Sequence, residues 1–416
     1  MEETEVVVVG AGQAGIAMSE HLSKNAIPHI VLERARIAEK WRTGRWDSLK
    51  ANGPAWHDRF PGVEFQGIDP DAFAAKDEVA AYLAEYAAGF DSPIRTGIDV
   101  QRVNKLNGDR GFRIETSAGV IKSDNVVAAT GPFQRPVIPP LIPDGSGLKQ
   151  LHSADYRNPE ELPEGAVLVV GSGSSGSQIA DELNRAGRQV YLSVGPHDRP
   201  PRSYRGLDYC WWLGVLGKWD KAALEPDLAH ITISVSGAYG GRTVDFRRLA
   251  HEGITLVGMT GALTDGKLSF SADLAPNIAA GDAYYLAMLD EADAYAERNG
   301  LDLPPDPQAR DIPEDPACLV KPITSLDLAD AGITTIIWAT GYRLDFSWLQ
   351  VDTFDADGKP NHQRGVSAEP GVYFIGLPWL SRRASSFIWG VWHDARFLAD
   401  HIATQRNYAA YQAAAQ

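Results

Sequence analysis

Two clusters of glycine in this sequence have the spacing of phosphate-cradling turns. The first is Gly10-Ala11-Gly12-Gln13-Ala14-Gly15, preceded by Val6-Val7-Val8-Val9; the second is Gly171-Ser172-Gly173-Ser174-Ser175-Gly176, preceded by Val167-Leu168-Val169-Val170. Between a strand and a helix, G-x-G-x-x-G turns backbone N–H groups and a helix N-terminus toward a pyrophosphate. A side chain at either of the first two positions would block the turn or the phosphate. One at the third would hold the helix off the strand. A single cluster is a weak signal, but two, each followed by the rest of a β-α-β unit, predict two dinucleotides on one chain.

The residues after each turn distinguish the two nucleotides. Beyond a helix over 16–25, the strand His29-Ile30-Val31-Leu32 ends at Glu33, 18 residues past Gly15. This fold places a carboxylate there on a ribose 2′-hydroxyl, so a free 2′-OH is implied, as on the adenosine half of FAD or NAD. The second unit (strand 166–170, helix 175–185, strand 189–194) carries no acid at its end. It closes on Ser193-Val194-Gly195, and Arg199, Arg202 and Arg205 follow. An acid would repel a 2′-phosphate, whereas a small residue with guanidinium donors would bind it. The second turn is therefore expected to take NADPH rather than NADH, with Arg199 and Arg202 on the 2′-phosphate.

The elements that must position these residues belong to an ordinary globular chain. Its 416 residues, 44% hydrophobic and 22% charged, suffice for two domains with their own cores. A net charge of -15 disfavours nucleic acid and anionic membrane surfaces as partners. No apolar run approaches the length of about 20 residues that a membrane helix needs. A first strand starting near Glu5 leaves no room for a signal peptide, so a cytoplasmic location is expected. Cys210 and Cys318 form no C-x-x-C, which predicts two reduced thiols and no redox dithiol, and no metal site is expected.

Between the turns, 41–57 is a loop dense in Trp and Arg, placed either to cover an isoalloxazine or to form a satellite core. A helix follows over 77–88. Strands follow over 98–103, 112–116 and 120–122, with turns at Asn107-Gly108 and Ala118-Gly119. A buried strand over 125–129 runs into Thr130-Gly131, and 334–339 echoes it into Thr340-Gly341. The proline- and glycine-rich 132–163 reads as an interdomain crossover. Tyr209, Trp211, Trp212 and Trp219 are open to three readings: core, the wall of a substrate channel, or a homodimer contact. Strands near 254–258 and 263–270, a helix over 277–298, a strand over 372–376 and a closing helix over 390–402 complete the chain. The pattern predicts an α/β fold of two Rossmann-like dinucleotide-binding domains, the second inserted into the first. Residues 1–160 and 331–416 are expected to form the FAD domain and 161–330 the NADP domain, with an aromatic and helical insertion over about 207–300.

Taken together, these residues resemble the class B flavoprotein monooxygenases, the flavin-containing and Baeyer–Villiger superfamily. The likeness is carried by the first turn, by Trp41 to Pro54, by both Ala-Thr-Gly segments, by the second turn and by Gly371 to Gly376. It is carried most specifically by His152-Ser153-Ala154-Asp155-Tyr156-Arg157, which is similar to the signature F-x-G-x-x-x-H-x-x-x-(Y/W). Ser146 and Leu148 stand at its Phe and Gly positions, and Tyr156 in place of Trp-Pro is closer to the flavin-containing branch. Asn52-Gly53-Pro54 resembles the family's Asn-x-Pro segment, with Ala55-Trp56 where the family has Lys-Glu; this implies Asn52 as the catalytic residue beside the reactive edge of the flavin.

The resemblance implies an oxidoreductase in which NADPH reduces FAD, O₂ adds at flavin C4a, and the hydroperoxide passes one oxygen to a small organic substrate. N- or S-oxygenation or hydroxylation comes first, with Baeyer–Villiger insertion as an alternative. Two other readings stay open: a reductase passing electrons to a partner protein or quinone, and a redox-sensing flavoprotein without turnover. The candidate FAD contacts are Gly10, Gly12, Gln13, Ala14, Gly15, Glu33, Arg34, Trp41, Arg42, Leu49, Asn52, Val100, Thr130 and Gly131. Those for NADPH are Gly171, Ser172, Gly173, Ser174, Ser175, Ser193, Arg199 and Arg202, and Thr340 and Gly341 join the cofactor set.

Overall fold

In a computed structural model of the chain, the valine runs ahead of both glycine clusters are central strands of parallel sheets. The structure describes residues 1–106, 110–143, 145–222 and 232–414. Strands covered on both faces read as unbroken apolar runs rather than as alternation, which is why Val6 to Val9 and Val167 to Val170 carry no polar residue. Glu2–Val9 pairs in parallel with His29–Glu33 on one side and Gly119–Ala128 on the other. Ile94–Thr96 extends this sheet beyond His29–Glu33. At the other side an antiparallel meander, Val100–Lys105 and Phe112–Thr116, leads back into Gly119–Ala128. There alternation returns, with Val103, Phe112, Ile114 and Ile121 turned into one core. The Ala118-Gly119 turn joins the last two strands as expected, and the Asn107-Gly108 turn lies outside the described residues.

The chain comes back to this sheet after the second unit. Leu349–Gln350 pairs with Val100–Lys105, and Val372–Phe374 lies parallel to the second half of Gly119–Ala128. The second unit is thus inserted into the first. Its five strands are all parallel, in the order Thr255–Val257, Val190–Ser193, Ala166–Val170, Ile333–Trp338, Lys149–His152. The expected limits of 161–330 are too narrow for this sheet. Ile333–Trp338 precedes the second Ala-Thr-Gly and pairs with both Ala166–Val170 and Lys149–His152, because a strand as buried as Ile336, Ile337 and Trp338 must find backbone partners along both edges.

Two long helices close the cores. Ile388–Ala414, longer than the 390–402 expected, lays Val391, Ala395, Leu398 and Ile402 against Ala14, Ala17 and Met18 of the helix Gln13–Lys24. Leu274–Arg298 packs Tyr285, Met288, Leu289 and Ala292 against Tyr209, Trp212 and Trp219, so these three aromatics belong to a core. No helix among the described residues is long and apolar enough to cross a membrane. Among the same residues, no group of three or more His, Cys, Asp or Glu could hold a metal ion.

The glycine turns are built alike. Gly10 (φ +105) and Gly171 (φ +106) lie in a region closed to most side chains. A Cβ on either would come within 2.8 and 2.5 Å of the carbonyl oxygens of Ala129 and Ala339, so each Ala-Thr-Gly segment crosses directly over its own turn. At the third positions, a Cβ on Gly15 or Gly176 would overlap the carbonyl oxygen of Gly10 or Gly171. Gly12 has no neighbour within 4 Å of that position. Gly15→Ala and Gly176→Ala are therefore expected to cost about 1–3 kcal/mol by overpacking, while Gly12→Ala leaves the stability of the cofactor-free protein unchanged. Thermal unfolding of the three apo variants checks the contrast.

Candidate dinucleotide sites and their junction

At the first turn, the helix Gln13–Lys24 starts at Gly12 with no side-chain cap and no acid in its opening turn. Its leading N–H groups are left for an external acceptor. Glu33 sits at the mouth and is held by two backbone donors: Ala11 N donates to Oε2 and Ala35 N to Oε1, each at 2.9 Å. Each oxygen keeps a lone pair for a ribose hydroxyl. Burial, followed by the neighbouring Arg34 and Arg45, pushes the Lys40 ammonium down from its usual pKa, with Asp155 acting the other way. This local surplus of positive charge fits a pyrophosphate. Gln13 joins the turn to its surroundings, donating to Ser386 O at 2.8 Å and accepting from Trp41 Nε1 at 3.2 Å. Ala14 lies under Gly376, where a Cβ would come within 2.7 Å of the Ala14 methyl.

The other expected FAD contacts are spread more widely. Arg42 donates to Ile37 O at 3.3 Å, beside the turn. Thr130 Oγ1 accepts from Gln134 at 2.9 Å, and Gly131 stands open at positive φ. Val100 opens the meander opposite Thr116. Leu49 packs with Trp46 and Tyr156 in the core of the second unit.

Asn52, in the loop of the first unit, is held from the second. Its Oδ1 accepts from Gln178 Nε2 at 2.9 Å, and its carbonyl accepts from Arg202 Nη1 at 2.5 Å. The next amide, Gly53 N, donates to Asp58 Oδ2 at 3.0 Å, and the other oxygen of Asp58 lies 2.9 Å from His57 Nδ1. Gln178 belongs to the helix Ser174–Arg185 that begins at the second glycine turn. The residue implied beside the flavin is thus tied to the element that starts at the other nucleotide. The His57 ring stacks on Trp219 (4.9 Å, 22°) with Trp389 beyond it at 5.7 Å, so an aromatic wall stands next to this loop.

The signature histidine is a joint. His152 Nε2 meets Gly341 O at 2.9 Å while Nδ1 accepts from Ala154 N at 3.1 Å, and burial pushes the ring's pKa down, keeping it neutral. Thr340 Oγ1 donates to Val137 O at 2.5 Å, fastening the same corner. Arg157 donates to Thr43 O at 2.7 Å. The Tyr156 hydroxyl donates to Glu182 Oε2 at 2.8 Å, and Ser48 donates to Glu182 Oε1 at 2.6 Å. The segment His152 to Arg157 therefore clamps the 41–54 loop onto the second unit.

The expected 2′-phosphate set does not assemble. Arg199 is 3% exposed, lies 3.3 Å from Asp245 and 2.9 Å from Asp282, and stacks 4.3 Å over the Tyr285 ring. Arg202, also 3% exposed, pairs with Asp208 at 2.6 Å in addition to the Asn52 carbonyl. Arg205 pairs with Asp293 at 3.1 Å. The Ser193 hydroxyl donates to Gly258 O and accepts from Thr260 Oγ1, both at 2.9 Å. A buried guanidinium requires an acid; Asp208 lies only six residues past Arg202, but Asp245 and Asp282 lie too far along the chain for a cluster of arginines after a strand to reveal them. Gln178 likewise gives no sign in sequence of its partner, since only its position two residues past Gly176 is local.

Two glycine turns, each crossed by its own Ala-Thr-Gly segment and joined at one asparagine, define a flavoprotein oxidoreductase with two dinucleotide units. Residues 7–205 match the pyridine nucleotide-disulphide oxidoreductase family. A CzcO-like oxidoreductase of Geobacillus kaustophilus is 35% identical over 405 residues, 96% of this chain and 98% of its own. YUCCA4 of Arabidopsis thaliana, a probable indole-3-pyruvate monooxygenase, is 26% identical over 416 residues, 96% of this chain and 90% of its own. The structure of a flavin-containing monooxygenase from Stenotrophomonas maltophilia superposes with a TM-score of 0.63 at 22% identity, over 97% of this chain and 99% of that one. The chain belongs to the CzcO-like oxidoreductases.

The ion pairs set an expectation for Arg199→Met. Asp245 loses its cation and Asp282 keeps only Arg247. Urea unfolding should show a loss of about 3 kcal/mol or more, a global effect rather than a selective rise in KM for NADPH.

Proposed function

We propose that the protein is an NADPH- and FAD-dependent monooxygenase that transfers one oxygen atom of O₂ to a small organic substrate, with N- or S-oxygenation as its chemistry. The observation that carries this reading is the junction at Asn52, where the loop beside the first turn is bonded to the helix of the second. FAD belongs on the first turn: Gly10, Gly12, Gln13, Ala14 and Gly15 form the cradle, Glu33 takes the ribose, and Lys40 with Arg34 and Arg45 supplies the positive field. NADPH belongs on the second, on Gly171, Ser172, Gly173, Ser174 and Ser175. When bound, the flavin supplies the hydride, electron and oxygen chemistry, and the chain supplies binding, orientation and exclusion of water.

The roles of the residues follow from what holds them. Gln178 occupies the oxygen of the Asn52 amide, so its two N–H groups are left to donate toward the flavin edge. Arg202 and Asp58 hold that residue in place, because together they fix both polar atoms of the peptide group that follows it. The stack of His57 on Trp219, with Trp389 behind, favours a planar, apolar substrate over a charged one. The free thiols Cys210 and Cys318 suit a cytoplasmic setting and offer no dithiol relay to a reductase.

Purified protein should be yellow and should consume O₂ with NADPH. Gly12→Ala should lose FAD, whereas Gly173→Ala should retain it and lose reduction by NADPH. Asn52→Ala should keep both cofactors and release several-fold more hydrogen peroxide per NADPH. A colourless protein, or a flavoprotein that takes up no O₂, would sink the reading, and equal loss of flavin from both glycine variants would overturn the assignment of the turns.

A further inference from the structure

The two glycine turns differ in one respect that their sequences do not show. The position that a Cβ on Gly12 would take is open on every side, as a phosphate cradle requires. The same position on Gly173 is filled by the chain itself, with the methyl group of Thr232 in contact distance. Thr232–Ile233 is a short strand that pairs in parallel with His197–Asp198, directly after the end of the second unit's central strands. From there the segment is bonded to the turn at each residue. Ser174 Oγ donates to Ile233 O at 3.0 Å, Ser234 Oγ donates to Ser172 O at 2.5 Å, and Val235 N donates to Ser174 Oγ at 3.3 Å. Ser234 is fully buried, and its amide donates to Asp198 O at 2.9 Å. A dinucleotide's phosphates and these four residues require the same space and the same serine hydroxyl.

We infer that Thr232 to Val235 is a built-in occupant of the second turn, which NADPH must displace to bind. The inference rests on the reading that the second turn is the NADPH turn. Displacement also reaches the first unit. Gln178 Nε2 is shared between Val235 O (3.3 Å) and Asn52 Oδ1 (2.9 Å), and its Oε1 is buried with no partner. When the segment withdraws, Gln178 loses one acceptor and is left with Asn52, so occupancy of the second turn is relayed to the residue beside the flavin through a single amide. The far end of the segment is anchored, since Gly237 packs against the carbonyl of Ala51 with no room for a Cβ. The movement is therefore confined to the residues before it. An occupant of this kind lowers apparent affinity by the fraction of molecules in which it is in place.

The test uses the full-length FAD protein with NADP⁺ as the probe. In the wild type, saturating NADP⁺ should speed amide hydrogen exchange across 232–235, and Thr232→Gly should tighten the NADP⁺ dissociation constant by about 3- to 10-fold with unchanged flavin content. In Gln178→Leu, NADP⁺ should still bind but should no longer perturb the visible flavin spectrum as it does in the wild type. Equal NADP⁺ affinity in wild type and Thr232→Gly, with exchange over 232–235 slowed or unchanged on binding, would refute the occupant while leaving the NADPH assignment standing. A flavin perturbation that survives in Gln178→Leu would refute the relay. If neither wild type nor Thr232→Gly binds NADP⁺, the second-turn assignment falls and the occupant with it.

Discussion

Arg202 carries a positive charge that water cannot reach, and the loop beside the first nucleotide turn is shaped around it. Its guanidinium donates to the Asn52 carbonyl and to Asp208, and lies 5.0 Å over the Phe73 ring. Removing such a charge from water costs several kcal/mol, which an acid and a carbonyl placed against its two terminal nitrogens offset. Partners from three regions of the chain must therefore converge on it. Gly241, at positive φ, leaves the space that Phe73 and the Arg202 stem fill. The position of Asn52, and with it the polar edge of the site, depends on that convergence.

The same logic runs through the whole junction between the units. Arg157, Glu182 with Tyr156 and Ser48, and His152 with Gly341 each tie the 41–54 loop or the crossover to the second unit, through part-buried bonds at Tyr156 and His152 and exposed ones at Arg157 and Ser48. Burial raises the pKa of Glu182 and of Tyr156, and burial lowers that of His152. A donor or acceptor left single in such surroundings is expensive, so these contacts favour one relative placement of the two sheets over its alternatives. For a reaction that passes reducing equivalents between two bound nucleotides, that placement matters more than any single acid or base.

The fold and the first nucleotide site were largely legible because their causes are local. A glycine at φ +105 and another whose Cβ would strike a carbonyl five residues back leave their mark within ten residues of sequence. Glu33 could be placed by counting, since strand, turn and helix have nearly fixed lengths. The closing helix runs further, and the second sheet reaches wider along the chain, than local pattern indicates. The strands Lys149–His152 and Ile333–Trp338 are recognisable as strands, but their choice of sheet is a matter of edge pairing.

The amino-acid sequence by itself determined two glycine turns, two parallel sheets, an acid at the end of the first unit's second strand and none at the matching place in the second. These are properties of short stretches, governed by backbone sterics and burial. Only the tertiary structure decided what the arginines after Ser193 do, what holds Asn52, and that one turn lies open while the other is covered. Asp245, Asp282 and Asp208 claim the guanidinium groups, Gln178 reaches Asn52 from 126 residues along the chain, and Thr232 meets Gly173. A charge or an amide in a sequence announces that it needs a partner, but which partner it finds is settled by packing of segments that no local pattern relates.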